Sequence, residues 1–133
     1  MPISIPTLGV LVVDKDHQDA VTLIETAIAS ADNELAILLD KAAIHLADHF
    51  GREEALMDEC GFFASHCHKE EHQRVLKEVV QIQILAAQGD LANVRTYLTQ
   101  AFPDWLVQHA NSMDTVTMMS YRTYLNSQKA VAS

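Results

Sequence analysis

The sequence has few of the residues that mark several large classes of protein. It contains two cysteines, Cys60 and Cys67, which form no CxxC motif and are too few for a disulfide framework. Lys and Arg number 9 against 18 Asp and Glu, the formal net charge is −9, and no basic cluster occurs. Nucleic acids and anionic membrane surfaces are bound through patches of Lys and Arg, so we expect neither as a partner.

The sequence also lacks a long hydrophobic run near its N-terminus. The run Leu8–Val13 spans six residues, too few for a signal sequence or a bilayer span, and no basic segment precedes it. We therefore expect a cytoplasmic protein. With 133 residues, 49% of them apolar, and no internal repeat or low-complexity segment, the chain is long enough for one domain, residues 1–133, with a core of its own.

Glycine and proline are sparse, at 4 and 3 residues, and they leave long stretches with helical periodicity. An N-terminal arm of residues 1–13 precedes a helical region of residues 14–128. Asp14 is expected to cap the first helix, and Gly61 to end the second as a C′ glycine. Pro103 predicts a kink or a helix start within the fourth helix. The pattern predicts an all-α, antiparallel up-down four-helix bundle.

Histidine is abundant, at 7 residues, and most of these side chains fall within or close to the apolar stripes. His49 and Glu53 are four residues apart, and so are His68 and His72, so each pair shares one face of its helix. Burying many imidazoles and carboxylates is costly unless each is hydrogen-bonded, paired or metal-bound. The candidate metal ligands, which lie on all four helices, are His17, His49, Glu53, His68, His72, His109 and Asp114.

The chemistry of these candidates favours iron. Five imidazoles and two carboxylates suit iron, with zinc, copper and manganese less favoured, and seven ligands are too many for one ion. Two ions bridged by carboxylates would use them all and leave one position vacant. The Glu-x-x-His motif of ferritin-like di-iron proteins does not occur. Asp114 lies about 140° round an ideal helix from His109, so simple spacing does not bring these two side chains together.

The chain resembles the hemerythrins, specifically the single-domain bacteriohemerythrins, from Asp14 to about Leu125. The runs that carry the resemblance are Asp14–His17, His49–Glu54, His68–His72 and Trp105–His109, followed by Asp114. The resemblance implies two non-haem iron ions with an oxo or hydroxo bridge. It also implies reversible O2 binding for carriage, storage or delivery, without a catalytic residue.

The resemblance further implies a role for each candidate. His68, His72 and His109 would bind one iron; His17 and His49 would bind the other, which keeps the open position. Glu53 and Asp114 would bridge the two ions. The walls of the O2 pocket, next to ligands or one turn away, would be Phe50, Trp105, Leu106 and Ala110.

Other functions remain open at this point. A di-iron redox enzyme (an oxidase, a peroxidase or a nitric-oxide-consuming protein) or an O2 or redox sensor module could use the same site. Ala110 and Ser112 stand where larger or more apolar residues are usual in the family, which could open or wet the pocket. A protein partner is not predictable from the sequence.

Several neighbours of the candidates have less definite roles. Glu54 is expected to be solvated or to lie just outside the ligands. Asp16 is expected to be exposed, with orientation of His17 as the alternative. His45 is interpreted as a core imidazole bonded to a backbone carbonyl or a carboxylate. The alternative is a hydrogen-bond donor near the pocket or a proton source. His66 is expected on the surface, and Cys67 to point away from the metal.

Overall fold

The computed structural model describes residues 3–132, which form four long helical rods and an extended N-terminal arm. The first three rods are α1 (Leu11–Ala29), α2 (Asp32–Cys60) and α3 (Ser65–Ala87). The fourth rod consists of α4 (Leu91–Thr96), α5 (Phe102–His109) and α6 (Thr115–Ala132), joined by two π-helical turns. Short turns connect the rods, so successive rods run antiparallel, and α6 packs against α2. The expected all-α four-helix bundle is confirmed, and no strand occurs within residues 3–132.

The first helix begins earlier than expected. Residues 11–13, expected in the arm, are already helical, and Asp14 lies inside α1 instead of capping it. The Asp14 carboxylate accepts hydrogen bonds from the backbone N–H groups of Leu8 (2.7 Å) and Gly9 (3.1 Å). Asp14 therefore ties the arm to the helix. Met1, Pro2 and Ser133 lie outside the described residues, so the single domain 1–133 stays a prediction.

Gly61 ends α2 as expected. Its φ of 63° is left-handed, a conformation that glycine adopts without strain. The N–H of Phe62 then donates to the carbonyl of Met57 over 3.0 Å, which closes the last turn of the helix.

The first π turn, Tyr97–Ala101, explains how the fourth rod accommodates Pro103. Proline lacks an N–H and clashes with the carbonyl four residues back in a regular helix. In the π turn the N–H of Phe102 bonds to the carbonyl of Tyr97, five residues back, which widens the rod just before the proline. Pro103 then lies in the first turn of α5, so the expected helix start is confirmed.

Two apolar clusters pack along the bundle and leave a polar level between them. On α1, Val13 belongs to the smaller cluster and Val21 to the larger, and His17 lies between them. On α2, Phe50 belongs to the larger cluster and Leu56 packs against the smaller, with Glu53 between. The candidate ligands therefore occupy an interior level of the bundle. Within the described residues, no helix is both long enough and apolar enough to cross a membrane.

Candidate metal centre

The structure brings all seven candidate residues together in the interior. Each side chain belongs to a residue with no more than 5% of its surface exposed. They form two overlapping groups, and the ligand atoms of each group lie within 4.8 Å of one another. The first group is Glu53, His68, His72, His109 and Asp114. The second group is His17, His49, Glu53 and Asp114.

Glu53 belongs to both groups and presents one oxygen to each. Its Oε1 lies 2.8 Å from Nε2 of His68, while its Oε2 lies 3.2 Å from Nε2 of His49. A carboxylate in this position can coordinate two cations at once.

Asp114 has the same divided arrangement. Its Oδ1 lies 3.0 Å from Nε2 of both His68 and His109, and its Oδ2 lies 3.1 Å from Nε2 of His17. Two carboxylates therefore span the two groups.

The second π turn, Ala110–Asp114, explains how His109 and Asp114 come to lie on the same face of the rod although they are five residues apart. In an α-helix, side chains five residues apart point in different directions, whereas a π turn carries one residue more per hydrogen-bonded ring. The extra residue returns Asp114 to the face of His109, with 3.0 Å between His109 Nε2 and Asp114 Oδ1. The sequence contains the five-residue spacing but no signal for the π turn.

Several buried polar atoms at this level form no hydrogen bonds with one another and are arranged so that a cation could bind between them. Both ring nitrogens of His17, both carboxylate oxygens of Glu53 and Nε2 of His72 have no hydrogen-bond partner. The Glu53 oxygens lie 2.8–3.4 Å from three imidazole nitrogens, but the directions are not those of hydrogen bonds. A buried polar group without a partner costs about 1–3 kcal/mol. Because Nε2 of His17, Nε2 of His72 and the Glu53 oxygens belong to the two overlapping groups, a cation there would satisfy several of these atoms at once.

The electrostatics keep both carboxylates charged. Burial alone would raise the pKa of Glu53, but contacts with three facing histidines outweigh it and lower that pKa to about 2. Burial would also raise the pKa of Asp114, but its contacts with histidines outweigh burial and lower that pKa well below its ordinary value. For His68, burial favours the neutral ring, but Asp114 and Glu53 raise its pKa to about 9. Without a metal, a proton on His68 thus compensates part of the negative charge.

Side chains outside the cluster orient two of the imidazoles, His72 and His68. Nδ1 of His72 lies 2.8 Å from Glu54 Oε2, and Nδ1 of His68 lies 2.7 Å from Thr117 Oγ1. With a proton on Nδ1, each ring donates outward and turns the lone pair of Nε2 toward the cluster. Glu54 therefore lies just outside the ligands, one of the two expected positions. Thr117, fully buried on α6, was missed because nothing in its spacing marks it.

Asp16 corrects an expectation, since it is 6% exposed instead of lying on the surface. Its carboxylate lies 3.0 Å from Nδ1 of His49 and accepts two hydrogen bonds from Arg52, at 2.8 and 2.9 Å. These contacts overcome the cost of burial and lower the pKa of Asp16. The partners lie on another helix, 33 and 36 residues away, so the spacing in the sequence did not reveal them.

Aromatic rings cover two of the imidazoles. Phe50 stacks on His72 with 3.8 Å between ring centroids, and Trp105 stacks on His109 with 4.5 Å. The indole N–H of Trp105 donates to Glu71 Oε1 over 2.9 Å, which holds the ring in place. Two other expected wall residues, Leu106 and Ala110, are buried. The wall role of all four residues toward O2 stays a prediction.

The remaining neighbours have simpler roles. Nε2 of His45 lies 2.9 Å from the backbone carbonyl oxygen of Asp16, as in the core interpretation. His66 and Cys67 are exposed, as expected. Ser112 is exposed, and its hydroxyl donates to the carbonyl of Gln108 on its own rod over 2.7 Å.

Comparisons with known proteins agree with this geometry. A family model described as the hemerythrin HHE cation binding domain matches residues 8–119. A bacteriohemerythrin of Ralstonia nicotianae is 33% identical over 107 residues, which cover 80% of this chain and 77% of the relative. A bacteriohemerythrin of Aquifex aeolicus is 29% identical, with 87% of this chain and 92% of the relative covered. One of Stenotrophomonas maltophilia is 25% identical, with 90% and 79% covered.

Proposed function

The chain belongs to the hemerythrin family, and we propose that it binds O2 reversibly at a di-iron centre for carriage, storage or delivery. The observation that carries this proposal is the pair of overlapping ligand groups that share Glu53 and Asp114. Two non-haem iron ions with an oxo or hydroxo bridge fit a set of imidazoles and carboxylates without a thiolate. Ferrous ions in the two groups would supply two electrons to O2 and recover them on its release.

The unequal ligand sets of the two groups support an open position. The first group offers three histidines besides the shared carboxylates, and the second offers His17 and His49. An ion in the second group therefore has one protein ligand fewer. We assign O2 binding to that side, with Glu53 and Asp114 bridging the ions.

The protein's own contribution is to orient the ligands and keep water away. Asp16 and Glu54 fix the rings of His49 and His72 through their outer nitrogens. Phe50 and Trp105 cover His72 and His109 with apolar ring faces. Excluding water from such a site suppresses proton leakage and the hydrolytic loss of reactive species. Reversible binding, in contrast to an oxidase or peroxidase reaction, depends on that exclusion.

Metal analysis and a spectroscopic cycle test this proposal. We expect about two irons per chain, as the two ligand groups require. The visible spectrum of the reduced protein should change when O2 is added and return when O2 is removed under argon. One zinc and no iron in protein from iron-replete cells would contradict the di-iron proposal. Steady consumption of O2 in the presence of a reductant, without return of the reduced spectrum, would instead identify an enzyme.

A further inference from the structure

Helix α2 carries a second apolar surface on the side that faces away from the core. Ile37 and Ile44 are 61% and 64% exposed, whereas Leu39 on the core side of the same helix is 2% exposed. Asp40 and Lys41 lie between the two isoleucines and are exposed as well. The spacing of Ile37, Asp40, Lys41 and Ile44 is i, i+3, i+4 and i+7, which places them on one face of the helix. These four residues form the α2 patch.

Helix α3 extends this surface. The side-chain amide of Gln83 donates to Asp40 Oδ1 over 2.9 Å, so this part of α3 lies directly beside the α2 patch. Val80 and Ile84, which are 50% and 44% exposed, lie one turn before Gln83 and directly after it. A contiguous group of exposed apolar side chains is typical of an interaction surface, whereas a single one is not.

The surface is also locally neutral in a strongly acidic chain. The formal net charge is −9, but residues 37–44 contain one acid, Asp40, and one base, Lys41, and residues 79–89 contain no charged side chain. A net charge of one sign makes two copies of a chain repel each other. A second copy therefore meets less repulsion at this surface than at the acidic parts of the molecule.

The order of residues in the α2 patch is self-complementary. Suppose that two copies of α2 pack antiparallel about a twofold axis that passes between Asp40 and Lys41. Ile37 of one copy then meets Ile44 of the other, and Asp40 of each copy meets Lys41 of the other. Within residues 3–132, Lys41 forms no ion pair in the single chain. The same four residues thus supply both halves of an interface.

We propose that the α2 patch, with Val80 and Ile84 beside it, is a docking surface for a second copy of this chain in a twofold-symmetric dimer. The apposed isoleucines bury apolar surface, which favours association. The two Asp40–Lys41 contacts fix the antiparallel register, since a parallel arrangement does not bring these charges together in the same way. The interface does not require metal, because the α2 patch and Glu53 lie on opposite sides of the helix.

Sedimentation equilibrium of the full chain over a hundredfold range of concentration measures this association. The unsubstituted protein should form dimers and no larger species, because an isologous surface closes on itself. Ile44→Gln should weaken the dimer at least about tenfold, since it removes apolar burial at two symmetry-related positions. Leu11→Gln is the matched control and should keep the dimer. Leu11 is 89% exposed on α1, at the end of the bundle that holds the smaller apolar cluster.

Two charge reversals test the register. Lys41→Asp places acids opposite acids across the axis, and Asp40→Lys places bases opposite bases, so each variant alone should be monomeric. An equimolar mixture should form a heterodimer, because both pairs of opposite charges are restored. Native mass spectrometry identifies the heterodimer, and circular dichroism checks that each variant is folded.

The outcomes that overturn the proposal are distinct. An unsubstituted protein that stays monomeric at every concentration would overturn the dimer. A dimer that Leu11→Gln dissociates and Ile44→Gln does not would place the interface elsewhere and overturn the α2 patch. Two folded charge-reversal variants that stay monomeric when mixed would overturn the antiparallel register.

Discussion

At the scale of single residues, the two carboxylates decide what the cluster can bind. Glu53 and Asp114 each divide their oxygens between the two histidine groups. Glu54 follows Glu53 directly but lies outside the cluster, where it contacts Nδ1 of His72. Neighbouring glutamates thus have different roles because successive positions on a helix point about 100° apart.

Substituting these glutamates separates the two roles. We expect Glu53→Gln to lose most of the iron, because a neutral amide cannot supply negative charge to two cations. Glu54→Gln keeps an acceptor for His72 and should retain iron, with affinity lowered by about 10–100-fold at most, the usual effect of an outer partner. Iron per chain measured after dialysis against a chelator distinguishes them. Equal iron in both variants would refute the bridging role.

Asp16 gives a second residue-scale prediction. Asp16→Asn weakens the contacts to His49 and Arg52, so His49 should be less well oriented and iron affinity should fall by about 10–100-fold. Asp19→Asn is the matched control, since Asp19 lies one turn away and pairs with exposed Lys15. Chelator competition measures the affinity, and circular dichroism checks the fold. An unchanged affinity in Asp16→Asn, with the fold intact, would show that the orientation of His49 does not depend on Asp16.

At the scale of elements, the sequence predicted what repeats along a helix and missed what depends on contacts between helices. The four helices and the His49–Glu53 and His68–His72 pairs follow from local spacing. The burial of Asp16 depends on Arg52, 36 residues away. The π turn at Ala110–Asp114 has no local signature. The position of Asp114 was therefore implied by the family resemblance before the geometry explained it.

Gly51 within α2 and Gly61 at its C-terminal cap provide a test of local conformation. Gly61 has a φ of 63°, so Gly61→Ala should destabilise the protein by about 1 kcal/mol. Gly51 is helical, and a Cβ there would meet nothing within 4 Å. Gly51→Ala should therefore stabilise the protein by about 0.5–1 kcal/mol. Urea unfolding of the metal-free variants measures both effects, and a shift of the same sign in both would contradict this explanation.

At the scale of the whole molecule, the interior cluster couples metal binding to folding. Its unpartnered atoms destabilise the metal-free bundle, whereas a metal that binds only the folded state stabilises it. We expect the midpoint of thermal unfolding to rise on reconstitution with iron. His49→Ala should abolish that rise, while the exposed control His66→Ala should retain it. Equal midpoints of the metal-free and iron-loaded protein would mean that the cluster does not hold the metal.

The stability of the metal-free protein should also depend on pH, with a sign fixed by two side chains. The pKa of Glu53 is lowered from 4.5 to about 2, so its contribution to stability is present above about 4.5 and is lost as the pH falls through about 2. The pKa of His68 is raised from 6.5 to about 9, so its contribution is present below about 6.5 and is lost as the pH rises through about 9.

The free energy of unfolding of the metal-free protein should therefore be highest between about pH 4.5 and 6.5 and fall toward pH 9. His68→Gln removes the titrating ring and should flatten the fall above pH 6.5, whereas the exposed control His66→Gln should keep it. Iron should reverse the trend, because imidazoles bind metal in their neutral form and binding releases the proton. Urea unfolding from pH 4 to 9, with and without iron, measures both trends. A metal-free stability that rises from pH 6.5 to 9 would show that no protonated imidazole compensates the carboxylates.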